Sequence, residues 1–446
     1  MSELQVWLTL GIFSSVILAI AFDVVDMMIA TLLGVSLMFM FGILDGKAIL
    51  EATRTAGGPL ALLFGGMVVA RVLAKTGIFD RVGALLLRAT GGSGKRYLLL
   101  LVLLVAPVCA FLPNATTVIL LAPVIIGVAR ALEVDFVGPM VLTAIVSNSA
   151  GLLTLVGDPA TFLVGSSIGM SFGQYLRQVS LGGLIAVLAI VPLLPWLMGE
   201  IWRTRRPLPA EAPLPPIERP GFAVFALGVL LLMVTLFLVG EDLPFKIAPP
   251  EVSIIAATLA LLIVAGAKVE PIEDIVRDVD WKTLVFLFAI FCMVEGFTAT
   301  GLLQGLSLKL QGWFGTRFLT VALVLLAGIG ALSSLLANIP VVAVSLVMVK
   351  GYLVVTETVP EGALAAGFTD WPAATLPVFV AMMFGATLGG NATLIGASAN
   401  VVAGGICTRH GSRVNFARFF RLGLPVTLCQ LALSALYVLV FARFAR

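Results

Sequence analysis

Thr154–Gly165 reads TLVGDPATFLVG and Thr393–Gly404 reads TLIGASANVVAG, and the two stretches align without a gap. Gly157/Gly396, Ala160/Ala399 and Gly165/Gly404 coincide. Each stretch interrupts an apolar segment with glycine, threonine, proline or asparagine. Irregular backbone at membrane depth is tolerated only where it is buried in protein or lines a cavity. A break repeated at corresponding places of two halves is the sequence mark of a transporter's binding site.

Working outward, the solvent is decided by composition: 60% of the residues are apolar and 11% charged. A soluble chain of 446 residues needs far more charge on its surface. The reading is an all-α polytopic membrane protein. Glu3 and the run 6–22 read as a first spanning helix, not a short leader. Basic residues are spread over loops, which gives no nucleic-acid surface. Cys109, Cys292, Cys407 and Cys429 form no CxxC pair, so neither a metal centre nor a disulfide framework is expected. The single His410 lies in a basic loop and reads as solvated. No HExxH motif and no buried nucleophile–base pair point to an enzyme, and no cofactor is implied.

Runs long enough to span lie near 4–22, 24–44, 59–75, 179–200, 221–240, 251–267, 283–300 and 422–442. Shorter amphipathic pieces fall at 47–57, 78–89, 271–281, 303–312 and 411–421. The stretch 202–220, WRTRRPLPAEAPLPPIERP, reads as a solvated linker between a first repeat, 1–201, and a second, 221–446. A shift of 224 places Phe64 on Phe288, Thr76-Gly77 on Thr300-Gly301 and Asn114 on Asn338. The TLVG/TLIG pair needs a shift of 239, because about 15 residues are inserted near 356–372. Segments 97–132 and 318–356 break at Pro113-Asn114 and at Asn338-Ile339-Pro340, and read as re-entrant hairpins. The broken helices cover 136–170 and 374–408. About ten spanning helices plus two hairpins result, five crossings per half, which makes the repeats inverted. One side's loops carry 17 Lys/Arg against nine on the other, which places linker 202–220 in the cytoplasm and both termini outside.

The breaks should meet near the midplane. They offer Asn114, Thr116 and Thr117 at the first tip and Asn338 at the second. Asn148, Asp158 and Thr161 come from one broken helix, and Asn391, Thr393, Ser398 and Asn400 from the other. Ser147, Ser149, Thr154 and Thr387 accompany them. Half-helix N-termini suit anions and oxygen-rich solutes, while freed carbonyls suit a small cation. The same residues also serve as interhelical glue in membranes. Asp158, Arg71 and Glu295 are intramembrane charges and so candidates for coupling. Asp158 reads equally as a helix cap or a proton carrier. Arg71 and Glu295, at repeat-equivalent positions, read as a pair across the pseudo-twofold.

The strings FLPNATTVILLAPV (111–124), SNSAGLLTLVGDPATFLVGSSIGMSF (147–172), NIPVVAV (338–344) and LGGNATLIGASANVVAGG (388–405) resemble the ion transporter superfamily. The resemblance lies toward its arsenite permease and P protein (pink-eyed dilution) branch, related to sodium/proton antiporters and dicarboxylate/citrate carriers. It implies elevator-like alternating access, a homodimer, and two loci: Asn114 with Asn148 and Asp158, and Asn338 with Asn391 and Asn400. Pro113 and Ala337 stand where relatives carry tip aspartates, and Thr161 where they often carry asparagine. The loss of both tip carboxylates counts against a strong cation site. Neutral amides and hydroxyls suit arsenite or antimonite, which are trihydroxides at neutral pH. The expected function is therefore proton-coupled efflux of arsenite/antimonite from a plasma (inner) membrane, with the lipid bilayer as surroundings. Sodium/proton antiport, P-protein-like anion transport and a passive channel stand as alternatives. Cys109, near the first tip, offers a thiol to trivalent arsenic, although an apolar-helix cysteine is more often packing.

Overall fold

A computed structural model describes residues 2–21, 24–207, 214–364 and 368–444. Linker positions 208–213 lie outside the described residues. The described chain is helical. It opens with α1 (Glu3–Ala21), α2 (Met27–Met40), α3 (Gly46–Ala74) and α4 (Ile78–Thr90). The first hairpin follows as α5 (Gly94–Cys109) and α6 (Asn114–Ala131), and the first broken helix as α7 (Val137–Ala150) and α8 (Pro159–Ser167). Four short pieces, α9 (Phe172–Gln178), α10 (Ser180–Leu188), α11 (Leu194–Leu197) and α12 (Gly199–Arg203), lead to the linker. The second half holds α13 (Pro220–Val239), α14 (Pro249–Ala267), α15 (Ile272–Arg277), α16 (Trp281–Ala299) and α17 (Leu302–Phe314). Its hairpin is α18 (Phe318–Ser333) and α19 (Asn338–Val355), its broken helix α20 (Leu376–Gly389) and α21 (Ser398–Arg409), and α22 (Phe416–Phe444) ends it. Among the described residues, nine helices are long and apolar enough to cross a membrane.

The internal repeat is visible element by element. Shifting α4, α5 and α6 by 224 lands on the bounds of α17, α18 and α19. Shifting α7 by 239 lands on α20. The turn before α4 uses Gly77 at φ +71°, and the turn before α17 uses Gly301 at φ +76°. In each, the preceding threonine hydroxyl donates to the carbonyl three residues back, Thr76 to Leu73 and Thr300 to Phe297, both at 2.6 Å. Two inverted repeats of hairpin and broken helix thus build the fold.

Several expected boundaries are corrected. Segments 47–57 and 59–75 form one helix, α3, running straight through Pro59. The buried stripe Ala52, Ala56, Pro59, Leu63, Gly66, Ala70 and Leu73 keeps helical spacing across the proline, so packing holds a helix that local propensity would stop. The corresponding stretch of the second half stays divided, because Asp280 caps α16 by accepting from the Thr283 N–H at 3.1 Å. Most of 411–421 is likewise the start of α22. The 179–200 run divides at Pro192 and Pro195 into α10, a 3-10 turn and α11.

The helices form two bodies. In one, α3 packs on α14 and α16, with α1, α2 and α13 outside them. In the other, the hairpins interleave with the broken helices: α5 on α7, α18 on α20, α21 on α6 and α8 on α19. Large apolar side chains on α1, α2, α13, α14 and α22 remain exposed, as a surface solvated by lipid requires. Small residues set the closest approaches. A Cβ on Gly65 would lie 2.4 Å from the Ser253 carbonyl oxygen, and one on Gly389 would lie 2.3 Å from that of Gly330. Backbone cannot yield as a flexible side chain does, so Gly389→Ala is expected to destabilise the α18–α20 contact by about 1–3 kcal/mol. A lowered thermal unfolding midpoint in detergent would show it, whereas an unchanged midpoint would refute the close packing.

Candidate functional site

Each hairpin tip is stapled to its own broken helix by a repeated bond. The Thr154 hydroxyl donates to the Ala110 carbonyl, and its counterpart Thr393 donates to the Ser334 carbonyl. Both tips also begin their second arm without a side-chain cap: Pro113 precedes α6 and Ala337 precedes α19. Thr393, expected at the site as a ligand-binding group, serves as this staple.

Between the two breaks lies a closed polar zipper. The Asn148 amide nitrogen donates to the side-chain oxygens of Asn391 at 3.1 Å and Asn400 at 3.0 Å. Asn400 in turn donates to the carbonyls of Gly390 and Thr393, both at 2.8 Å, tying the loop of the second break. Asn391 donates to the Ser149 hydroxyl at 3.0 Å and to the Gln430 side-chain oxygen at 2.9 Å. Gln430 closes the net through Ser149 and the Ala186 carbonyl, both at 2.8 Å. The symmetry-related contact is that of Thr161 with Thr387, hydroxyl to hydroxyl at 3.3 Å. Asn148 with Asn400 and Thr387 with Thr161 are thus one contact made twice, since a shift of 239 exchanges their members. The zipper residues are 0–1% exposed. They join broken helix to broken helix.

Asp158 belongs to the second of these contacts. It is 4% exposed and caps α8, accepting from the Thr161 N–H at 3.2 Å, while the Thr387 hydroxyl donates to the same oxygen at 3.3 Å. A carboxylate there faces the N-terminal end of a helix and two hydroxyls, and no cation pairs with it among the described residues.

The two tips differ. Asn338 is buried; with its amide nitrogen turned to the acceptors around it, it reaches the Ser333 hydroxyl at 2.6 Å and the carbonyls of Gly396 at 2.9 Å and Ala386 at 3.2 Å. The Ser333 hydroxyl donates onward to the Ala386 carbonyl at 2.6 Å. At the first tip the buried Asn114 side-chain oxygen and the Thr117 hydroxyl have no partner, and the Asn148 side-chain oxygen is also unpaired. A crevice of about 10 Å³ lies beside this tip, lined by Leu62, Gly66, Phe111, Pro113, Gly157 and Ser253 among others, none of them charged. It is the volume of about one water, and its lining from α3, α13 and α14 places it between the first tip and the α3–α14 body.

Other expectations are corrected. Arg71 does not pair with Glu295. It pairs with Asp278 and lies 3.9 Å from Glu270, which also binds Lys75. The charge was placed at membrane depth by its apolar neighbours, but it sits in the last turn of α3, where a basic side chain reaches loop carboxylates. Glu295 lies half-buried on α16, within electrostatic reach of the like charge of Glu51. Asn148 joins Asn391 and Asn400 rather than Asn114 and Asp158, because α7 crosses to the other repeat's break. Ser398 is exposed, and Thr116 is half-buried with no side-chain hydrogen bond among the described residues. Sequence reasoning missed Gln430 and Ser333. Gln430 is a lone amide inside the apolar run of α22, a signal in itself. Ser333 was visible as the repeat partner of Cys109.

These features define a class: a solute carrier built of two inverted hairpin repeats. The chain belongs to the citrate transporter family, whose pattern matches residues 17–372. It is 40% identical over 438 residues to an uncharacterized transporter of Synechocystis sp., covering 98% of both chains. To an uncharacterized transporter of Mycobacterium tuberculosis it is 30% identical, covering 96% of each. It is 27% identical to the mouse P protein, covering 98% of this chain and 60% of that longer one. The crystal structure of the Alcanivorax borkumensis YdaH transporter shares the fold, with a TM-score of 0.61 at 14% identity over 90% of both chains. The protein is an integral membrane transporter and not an enzyme.

Proposed function

We propose that this transporter exports arsenite or antimonite in exchange for protons, by elevator-like movement of the hairpin body against the α3–α14 body. The observation that carries the reading is the first tip: neutral oxygens of Asn114 and Thr117 without a conventional partner, next in the chain to Phe111 and Pro113, which line an uncharged crevice. A buried polar atom without a partner costs about 1–3 kcal/mol, and a small solute that donates hydrogen bonds relieves it. A trihydroxide offers such donors without charge. Citrate requires cations to offset its carboxylates, and no cation lines the crevice. The division into two helix bodies, crossed mainly by α16 on α19, α3 on α8 and α3 on α6, supports sliding of one body past the other. The repeat boundaries 1–201 and 221–446, the cytoplasmic placement of 202–220, the inner-membrane location and a homodimer belong to the same proposal.

Purified protein in liposomes should move arsenite and antimonite in counterflow and leave sodium, chloride, citrate and succinate untouched. Movement of citrate or chloride in place of arsenite would overturn the substrate assignment. Asp158 is the acid placed to carry the proton. Asparagine caps a helix as well as aspartate does, so Asp158→Asn should fold normally. It should keep downhill arsenite flux and lose uphill flux, together with the pH dependence of the rate. Retained uphill transport would remove Asp158 from coupling.

A further inference from the structure

Overlaying the repeats shows that the two tips, although built on the same backbone, have opposite side-chain states. In the second, Asn338 is bonded to Ser333 and the Ala386 carbonyl, which satisfies its amide, and Val341 follows three residues on in α19. In the first, the corresponding residues are Asn114, Cys109, Thr117 and Ser147. Two positions that are apolar in the second locus, Val341 and Ala386, are hydroxyls in the first. The one hydroxyl that locks the second locus, Ser333, is replaced in the first by the fully buried thiol of Cys109. A thiol is a weak donor. It lies beside the hydroxyls of Thr117 and Ser147. Asn114 consequently makes no side-chain hydrogen bond among the described residues, and the 0%-exposed Thr117 hydroxyl has only the weak thiol of Cys109 beside it.

We infer that the two tips have divided roles: the first is the single solute site of each chain, and the second is a fixed strut held shut by Ser333. Cys109 is the residue that sets the difference, as a positioning residue that leaves Asn114 and Thr117 free for a small neutral solute rich in hydroxyl groups. This rests on the reading of the first tip as the solute site and goes beyond it, because two repeat-related loci would otherwise take two solutes or a solute and an ion. It also separates the thiol's role from direct bonding to the cargo.

The swap Cys109→Ser tests it, with Cys109→Ala as control. The new hydroxyl should reach the Ser147 carbonyl and the Asn114 amide as Ser333 reaches their counterparts, so Cys109→Ser should raise the thermal unfolding midpoint of the full chain in detergent. It should also cut arsenite counterflow about tenfold, the equivalent of one hydrogen bond that the solute must displace. Cys109→Ala supplies no donor and should transport within about twofold of the parent. Equal transport by Cys109→Ser and the parent would overturn the division of roles. Loss of transport in Cys109→Ala would overturn it too, showing that the thiol itself binds cargo. If the parent protein moves no arsenite, the substrate assignment fails separately. The midpoint comparison then still decides, since a hydroxyl that brings no stabilisation contradicts the lock.

Discussion

Gln430→Leu will unfold at a markedly lower temperature than the parent protein. Gln430 is fully buried and spends three hydrogen bonds on Asn391, Ser149 and the Ala186 carbonyl. Among the described residues it is the side chain through which α22 enters the zipper between the broken helices. Interhelical hydrogen bonds in membrane proteins contribute about 0.6–1 kcal/mol each, so the change costs about 2–3 kcal/mol. The leucine fits the volume but leaves one N–H of Asn391 without an acceptor. Gln430→Glu is a sharper version, because it brings an uncompensated charge into the same place. Thermal unfolding of the purified protein in detergent reads both. A midpoint within a degree or so of the parent in both variants would mean that the zipper does not hold the two repeats together.

The second large effect is on transport. Asn114→Ala should fold and insert as the parent does, because its side chain makes no hydrogen bond to lose, yet it should lower solute flux about tenfold to a hundredfold. Asn338→Ala should behave in the opposite sense. Its amide is fully engaged with Ser333, Gly396 and Ala386, so its loss should reduce stability and leave flux per folded molecule near the parent value. Initial rates normalised to folded protein, measured beside thermal midpoints, separate the two. Equal loss of flux in both variants would restore two equivalent solute loci.

Much of this was legible in the residues. The TLVG and TLIG stretches announced the breaks, and the shift of 224 found by pairing Asn114 with Asn338 is the shift that carries α4–α6 onto α17–α19. Hydrophobic runs and turn residues are local, and so were readable. What failed was set by packing. Pro59 reads as a stop, but a buried stripe carries α3 across it. Arg71 reads as a membrane-embedded charge, but the loop carrying Glu270 and Asp278 folds back to meet it. Several polar residues of the breaks, Asn148, Thr161, Asn391 and Asn400 among them, do meet, whereas their pairing was not readable from spacing. Asn148 meets the other repeat's asparagines because α7 and α20 cross at the pseudo-twofold, a relation that exists only in three dimensions. The asymmetry between Cys109 and Ser333 was written in the overlay all along, but its meaning required seeing that one asparagine is bonded and the other is not.

Arsenite accumulation by everted liposomes or vesicles carrying the purified protein, with and without an imposed proton gradient, tests the proposed activity most directly. The account predicts accumulation above the external concentration only while the gradient stands, and collapse to equilibrium when a protonophore is added. Arsenite that merely equilibrates whatever the gradient, or that does not enter at all, would contradict it.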